Sequence, residues 1–348
     1  MFKRIGFSVY LSNFEKNKEQ LSSLSKGDSV IFTSLHLSEE YDDSYVKRAE
    51  EMCKWLLDAG FRIMADVSRK TLKMFKTDNI VELAQRMKID ILRIDYGYSV
   101  EEIAEISGQM PVCINATTLE AESIRKIAKD AVELYAMHNF YPRPETGLDC
   151  VQFIKSNQVL RQAGIKVLAF IPGDMEKRGP LYEGLPTLES HRKAAPYAAY
   201  IDLINHYSID TVFVGDGVIS PFQLGLIADY ERDGIISLPV KFEKIADNLS
   251  KQIYTIRADS PRWLLRLQES REYSCFGKEI VPFNSIERKT GVVTIDNNLY
   301  KRYSGEIQII KEPLPADERV NVIGMIPQEY QLLLRNISNG DKIRFVKI

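Results

Sequence analysis

Polar side chains that can act as acids, bases or substrate ligands recur in the sequence at the ends of short apolar runs typical of buried strands. In chain order they are Ser8 and Tyr10, Thr33 and Ser34, His36, Asp66, Arg93 and Asp95, Asn115, His138 and Asn139, and Asp216. Carboxylates can transfer protons or attack a substrate carbon, whereas Arg, His, Asn and Tyr can bind its polar groups. The opposite ends of the same runs carry mostly ordinary turn residues, and this asymmetry indicates a site.

Arg93 and Asp95 are separated by one residue, so the alternation of a strand places both side chains on the same face. Buried together, they need each other or a ligand, because an unpaired buried charge is very costly. Asp66 ends the preceding strand and could share this position. Two neighbouring carboxylates would have their pKa values pushed apart, which would give an acid and a base. A structural ion pair is the alternative.

The loop that begins at His138 combines Asn139 and Tyr141 with Pro142 and Pro144. The two prolines exclude both a helix and a regular strand ladder there. A rigid loop with such side chains after a buried strand favours a binding site. A proline-rich surface turn would have the same composition.

Two later loops carry features that suit a phosphate group. The long segment 172–186 contains Arg178 beside a glycine and Glu183 beside another, and Gly215 and Asp216 belong to a Gly-Asp-Gly turn. Backbone N–H groups near glycine, together with a cation, can bind a phosphate dianion. A solvated flexible loop is the alternative for segment 172–186.

The elements that must position these residues alternate between strand and helix. Eight apolar runs and eight helical segments fill about 235 residues, and the strands are rich in Val, Ile, Leu and Phe. This pattern predicts an α/β protein with a (β/α)8 TIM barrel at residues 1–238, in which polar residues at the C-terminal strand ends form the site. The predicted helices include one over Thr187–His206, capped by the Thr187 side chain.

The composition changes after the barrel. Short strands separated by Asn and Gly turns predict a small all-β domain at residues 239–348. The strands are expected at Val292–Asp296, Glu306–Ile310, Val320–Ile323 and Lys342–Ile348, with one short helix at Gln328–Leu334.

Composition and motifs argue against several classes. The net charge of -2, from 46 basic and 48 acidic residues, does not suggest binding to nucleic acid or to a membrane surface. No apolar run is long enough for a transmembrane helix, and the four scattered cysteines are typical of a reducing compartment, so a cytoplasmic location is expected. A metal site formed by His36, His138, Asp66 and Asp95 is disfavoured, because no metal-binding spacing is present. No cofactor is predicted.

Segments from both predicted domains resemble the MupG-type 6-phospho-N-acetylmuramidases. They are Gly6–Tyr10, Ile31–Leu35, Leu92–Gly97, His138–Pro142, Thr146–Leu148, Glu183–Arg192, Ile295–Tyr300, Tyr303–Gln308 and Arg319–Gly324. The resemblance implies a barrel followed by a small cyclophilin-like β domain. It also implies cytoplasmic hydrolysis of the β-1,4 bond of N-acetylmuramic acid 6-phosphate–N-acetylglucosamine, a phosphorylated amino-sugar disaccharide that arises in cell-wall recycling.

Glycoside hydrolysis requires an acid for the leaving oxygen and a second carboxylate as base or nucleophile. Asp95 and Glu183 are the first candidates for these roles, and Asp66 is the third. The expected substrate ligands are Ser8, Tyr10, Arg93, Asn115, His138, Asn139, Tyr141, Arg178, Gly215 and Asp216, with Asn297, Tyr300 and Arg319 of the second domain closing over the site. Arg178 and the backbone of residues 215–217 would hold the 6-phosphate.

Two other functions fit the same barrel. A sugar-phosphate isomerase or epimerase would use acid–base groups without releasing a second sugar. A carbohydrate-binding protein would use the β domain and leave the barrel inert. The sequence leaves the stereochemical outcome and a homo-oligomeric state open.

Overall fold

The computed structural model describes residues 4–24, 29–37, 40–118, 120–272 and 279–348. The chain forms two compact units. The first comprises the residues up to Pro196 together with Leu203–Ser220, and the second comprises Tyr197–Asp202 and Pro221–Ile348.

Eight parallel strands close into a barrel in the first unit. They are β1 (Ile5–Ser8), β2 (Val30–Ser34), β3 (Arg62–Val67), β4 (Ile91–Ile94), β5 (Val112–Asn115), β6 (Leu134–Met137), β7 (Lys166–Ile171) and β8 (Thr211–Val214). The barrel closes where Ile5 of β1 lies opposite Val212 of β8. The predicted eight-stranded α/β barrel is therefore confirmed.

The helices between these strands follow local signals in the sequence. They are α1 (Phe14–Ser23), α2 (Tyr45–Asp58), α3 (Arg69–Met74), α4 (Ile80–Met87), α5 (Val100–Ser107), α6 (Ala121–Ala128), α7 (Cys150–Gln162) and α8 (Pro196–Ile201). Ser99 and Glu102 form a capping box at the start of α5, and Gly60 follows α2 with a φ of 86°, a conformation that glycine adopts without strain. The sequence predicts a first helix from Phe14 to Lys26, whose last residue lies outside the described residues.

The prediction of one continuous helix over Thr187–His206 is wrong. The structure has a 3-10 turn at Glu189–His191, then α8, then a π-helical turn at Asp202–His206. Thr187 does not cap a helix. Its buried hydroxyl donates to the carbonyl of Asn139 (3.0 Å) and accepts from the N–H of Phe170 (2.9 Å), so it joins two loops at the end of the barrel.

The barrel is a packed core rather than a channel. One buried cluster contains side chains from β2 to β8 and includes Phe32, Met64, Ile91, Cys113, Tyr135, Phe170 and Phe213. The aromatic rings meet edge to face, as in the pair Phe32–Phe170 with centroids 5.2 Å apart. Residues at the C-terminal strand ends are therefore held on a rigid support.

The strand register brings the predicted polar residues side by side at this end. Ser34 of β2 lies opposite Asp66 of β3, and Asp66 lies opposite Arg93 of β4. Asn115 ends β5 opposite Met137 of β6, and His138 and Asn139 follow directly.

The second unit consists mostly of one seven-stranded sheet with the order β10-β15-β9-β14-β12-β13-β11. Its strands are β9 (Ile236–Phe242), β10 (Ile253–Thr255), β11 (Leu264–Arg266), β12 (Val292–Asp296), β13 (Ile307–Ile310), β14 (Val320–Met325) and β15 (Lys342–Lys347). It also contains α9 (Pro221–Asp233), α10 (Gln268–Glu272) and 3-10 segments at Lys244–Lys251, Asn298–Tyr303 and Gln328–Asn336. The predicted strand-rich second domain is confirmed, whereas its cyclophilin-like character stays a prediction.

Candidate active site

Arg93 is the centre of the polar cluster at the C-terminal end of the barrel. One of its N–H groups donates to Asp66 Oδ1 at 2.6 Å, and the other reaches Asp95 Oδ1 at 3.4 Å and Asn139 Oδ1. The Arg93 side chain is only 3% exposed, whereas Asp66 is 9% and Asp95 is 22% exposed. The predicted grouping of Asp66, Arg93 and Asp95 is confirmed, and Asp95 is its most accessible member.

Asn115 fixes the orientation of Asp95. Its amide donates to Asp95 Oδ1 at 2.7 Å, and its own oxygen accepts from the N–H of Thr117 at 2.8 Å. The Asp95 carboxylate therefore receives two donors on one oxygen. Such donors hold a carboxylate in place for reaction with a substrate.

Burial raises the pKa of Asp66 above its ordinary value, while the charges of Arg93 and His36 oppose this shift. The cluster contains two carboxylates and one guanidinium, so a single proton on one carboxylate would make it neutral. A buried site favours neutrality because unbalanced charge is poorly solvated there. Asp66 is the carboxylate whose surroundings favour holding that proton.

The cluster faces a cavity of about 220 Å³. Polar groups from Ser34, His36 and Asn139 line it beside the cluster, and Phe32, Phe140 and Phe170 form an apolar wall. This mixture of carboxylates, amides and aromatic faces suits a sugar ring. A carboxylate of the cluster can transfer a proton to a substrate oxygen that is bound in this cavity.

His36 was not predicted as a substrate ligand, yet it lines this cavity. Its Nε2 lies 3.7 Å from Asp66 Oδ2, and its ring packs edge to face on Tyr96. Ser34 Oγ lies 3.5 Å from the same carboxylate oxygen. The sequence feature that could have indicated this role is the position of His36 just beyond β2, at the C-terminal end of the barrel strands.

His138 has a different environment from the cluster. It is fully buried, with Nε2 2.7 Å from Asn157 Oδ1 and Nδ1 3.4 Å from Thr117 Oγ1. Burial lowers the pKa of His138 to about 4, so the ring is neutral at pH 7. Among the described residues, those that line the 220 Å³ cavity include its neighbour Asn139 but not His138 itself.

Asp216 organises the long loop after β7. Its carboxylate accepts from the backbone N–H groups of Gly173 (2.8 Å), Arg178 (3.0 Å) and Leu185 (3.1 Å). Burial raises the pKa of Asp216, and these hydrogen bonds oppose the rise. Gly215 allows the loop to pass closely, since a Cβ there would lie 2.4 Å from the Leu185 carbonyl. Three loop N–H groups are thus occupied by Asp216.

Arg178 and Tyr10 are stacked beside this loop. The guanidinium lies 4.0 Å from the Tyr10 ring centroid, and the Tyr10 hydroxyl donates to the Gly215 carbonyl at 3.0 Å. Ser8 is fully buried at the end of β1. Glu183, in contrast, is exposed on the loop after β7.

An ion pair between buried Arg192 and half-buried Glu189, which was not predicted as such, connects the loops after β6 and β7. Arg192 contacts both carboxylate oxygens of Glu189 at 2.6 Å and also donates to the carbonyls of Tyr141 and Gly184. Glu189 in turn accepts from the N–H of Gly147 at 2.9 Å. This pair holds Tyr141, a predicted substrate ligand, beside the residue that follows Glu183.

The Glu189–Arg192 pair leads to a pH prediction. Hydrogen bonding to Arg192 lowers the pKa of Glu189 from 4.5 to about 2. The ionised Glu189 therefore stabilises the folded protein above about pH 4.5, and this stabilisation is lost as the pH falls from there toward 2. In urea unfolding from pH 7 to pH 3, Glu189→Gln should be less stable than the wild type at pH 7, and the difference should shrink below about pH 4.5. If the difference in unfolding free energy between the wild type and Glu189→Gln stays constant with pH, this account is wrong. The control is Glu105→Gln, on the exposed side of α5.

The three predicted site residues of the second domain belong to the second unit. Arg319 donates twice to Asp317, with its guanidinium 4.6 Å from the Tyr300 ring centroid. Asn297 is buried and donates to the carbonyl of Glu318 at 2.8 Å. Their predicted closure over the site stays a prediction.

Neither a metal-binding group nor a membrane-spanning helix is present in the described residues. In these residues, no group of three or more His, Cys, Asp or Glu side chains is placed to hold a metal ion. None of the helices within the described ranges is long and apolar enough to cross a membrane.

Comparisons with known proteins cover nearly the whole chain. Residues 5–229 match the family described as 6-phospho-N-acetylmuramidase, N-terminal, and residues 236–346 match its C-terminal counterpart. A conserved Enterococcus faecalis protein with an unknown function has 32% sequence identity and a TM-score of 0.81, over 99% of this chain and 96% of its own. An uncharacterized B. cereus protein has 26% identity and a TM-score of 0.77, over 99% of this chain and 100% of its own. No curated protein matches.

Proposed function

Because the chain belongs to the 6-phospho-N-acetylmuramidase family, we propose that it hydrolyses the β-1,4 bond of N-acetylmuramic acid 6-phosphate–N-acetylglucosamine. The observation that carries the proposal is the cavity in which Asp66 and Asp95 lie on either side of Arg93. Glycoside hydrolysis by two carboxylates needs one that carries a proton and one that does not. Asp66 and Asp95 meet this requirement, because the single charge of Arg93 balances only one of the two carboxylates.

In the proposed mechanism, Asp66 is the acid. Its Oδ1 accepts from Arg93, which leaves Oδ2, beside Ser34 and His36, to carry the proton to the leaving oxygen. Burial raises the pKa of Asp66, which favours this protonated form. Asp95, held by Asn115, acts as base or nucleophile.

Three of the predicted ligands, Asn139, Tyr141 and Arg178, would bind the sugar. Asn139 lies in the cavity wall, and Tyr141 is half-buried on the loop fixed by Arg192. Arg178, stacked on Tyr10, would bind the 6-phosphate. We place the reaction in the cytoplasm during recycling of cell-wall fragments. Cys53, Cys113 and Cys150 are free thiols, in keeping with a reducing compartment.

The test is to incubate the protein with the phosphorylated disaccharide and to measure free N-acetylglucosamine by mass spectrometry. We expect its release together with N-acetylmuramic acid 6-phosphate. Conversion of a monosaccharide phosphate without release of a second sugar would instead show an isomerase or epimerase. Binding without turnover would show a carbohydrate-binding protein.

Glu183 remains the competing candidate for the acid, and a pair of variants decides between it and Asp66. We expect Asp66→Asn to lower kcat at least about 10²-fold, because proton transfer by a positioned acid typically contributes this much. Glu183→Gln, on the exposed loop, should retain most of the wild-type kcat. The reverse order in the same disaccharide assay would assign the acid to Glu183.

A further inference from the structure

His36 faces the proposed acid, Asp66, in the wall of the carboxylate cavity. Its Nε2 lies 3.7 Å from Asp66 Oδ2, and both side chains line the cavity of about 220 Å³. The other oxygen of Asp66, Oδ1, accepts from Arg93 at 2.6 Å. His36 is therefore directed at the oxygen that carries the transferable proton in the proposed mechanism.

The surrounding structure fixes His36 in this position. The N–H of the preceding residue, Leu35, donates to the carbonyl of Asp66 at 2.8 Å, which extends the pairing of β2 with β3 up to His36. The Leu35 carbonyl in turn accepts from the buried Thr71 hydroxyl at 3.2 Å. The His36 ring packs edge to face on Tyr96, with centroids 5.5 Å apart. The imidazole is thus held on the rigid end of the barrel, as a group that takes part in a reaction requires.

The distance between His36 and Asp66 suits an oxygen atom bound between them. At 3.7 Å, Nε2 and Oδ2 are too far apart for a direct hydrogen bond. Two polar groups at such a distance can both bond to one oxygen that lies between them. Because both groups line the cavity, a substrate oxygen can reach this position.

Both groups can donate a hydrogen to that oxygen. Asp66 in its acid form donates from Oδ2. Nε2 of His36 keeps its hydrogen, because a bare nitrogen would face the carboxylate that remains after Asp66 has given up its proton. A glycosidic oxygen has two lone pairs and no hydrogen, so two donors that converge on it match its bonding capacity.

We propose that His36 is a further catalytic residue, whose Nε2–H bonds to the glycosidic oxygen while Asp66 Oδ2 protonates it. This assignment rests on the proposed function. The proton moves from Oδ2 to the glycosidic oxygen as the bond from that oxygen to the anomeric carbon breaks, and the leaving sugar departs as an alcohol. Water adds to the anomeric carbon, and the proton it releases replaces the one that Asp66 gave. His36 keeps its own hydrogen and stabilises the negative charge that develops on the leaving oxygen.

The test compares two leaving groups on N-acetylmuramic acid 6-phosphate, namely N-acetylglucosamine in the disaccharide and 4-nitrophenol in an aryl glycoside. A sugar alcohol leaves poorly without a proton and a hydrogen-bond donor, whereas 4-nitrophenolate is stable enough to leave with little help. His36→Phe keeps an aromatic ring beside Tyr96 and removes the donor. We expect it to lower kcat/KM about 10²-fold for the disaccharide and less than about 3-fold for the aryl glycoside.

Two further variants separate the donor from the packing of the ring. His36→Gln retains an N–H donor, so its kcat/KM for the disaccharide should exceed that of His36→Phe at least about 10-fold. His206→Phe is the matched control, because His206 is exposed and its ring also packs edge to face on a tyrosine, Tyr207. This control should behave as the wild type with both substrates.

The hydrolase and the role of His36 fail separately. If the wild type cleaves both substrates and His36→Phe loses the same factor on each, the role of His36 is wrong and the hydrolase stands. If the wild type cleaves neither substrate, the hydrolase is wrong and the role of His36 falls with it. Circular dichroism checks the fold of each variant, and His36→Ala, which removes the same donor, replaces His36→Phe if the latter does not fold.

Discussion

Asp95→Asn should lower kcat for the phosphorylated disaccharide at least about 10²-fold while the protein remains folded. The amide that replaces the carboxylate keeps an oxygen for the N–H groups of Asn115 and Arg93, so the local geometry is preserved. The lost feature is the negative charge, which a base or nucleophile requires. Because the amide oxygen can keep both hydrogen bonds and only the reactive charge is lost, the effect should fall on kcat more than on KM.

The measurement is steady-state release of N-acetylglucosamine, with circular dichroism to check the fold. Asp58→Asn, which removes an exposed carboxylate in the last turn of α2, is the matched control and should behave as the wild type. A folded Asp95→Asn variant with near wild-type kcat would remove Asp95 from the mechanism. An equal loss of kcat in Asp95→Asn and Asp58→Asn would indicate an effect of net charge.

The residues of the carboxylate cluster could be predicted because strand geometry determines their neighbours. The alternation along β4 places Arg93 and Asp95 on one face, and the parallel register sets Asp66 opposite Arg93. Both rules depend on backbone periodicity and hold without knowledge of loop conformation. The polar groups at the C-terminal strand ends were therefore accessible from sequence.

The loop interactions could not be predicted in the same way. Asp216 was expected to contribute to a phosphate site, yet its carboxylate bonds to N–H groups as far along the chain as Gly173. The helix predicted over Thr187–His206 would place Glu189 in its first turn, but Glu189 bonds to Arg192 and to the backbone of Gly147. These contacts depend on turns such as that at Tyr182, with a φ of 57°, which no periodicity indicates.

Arg93→Met should lower the free energy of unfolding by about 3 kcal/mol or more, and it should abolish activity. Arg93 is buried and is the cation shared by Asp66, at 2.6 Å, and Asp95, so its removal leaves the carboxyl groups of the cluster without a cation. Methionine fills much of the same volume, which limits the contribution of a cavity. Urea unfolding at pH 7 measures the stability loss.

The loss of unfolding free energy in Arg93→Met should also depend on pH. Arg93 is one of the groups that hold down the pKa of Asp66, which burial already raises. Without it the folded-state pKa rises further above the unfolded value, so the folded protein binds more protons and its stability falls as the pH increases. The difference in unfolding free energy between wild type and Arg93→Met should therefore grow as the pH rises above about 3.9, the ordinary pKa of an aspartate.

A double variant separates this charge effect from lost packing. In Arg93→Met/Asp66→Asn the Asp66 carboxylate is replaced by an amide. Most of the lost unfolding free energy should therefore return, and its difference from the wild type should no longer change with pH, whereas activity should stay absent. Recovery of stability would show that the two side chains act as one charge-balanced unit and that the reaction, rather than folding, requires both. If the double variant is as unstable as Arg93→Met at every pH, Arg93 stabilises the barrel through contacts other than Asp66, and the charge balance proposed for the cluster is wrong.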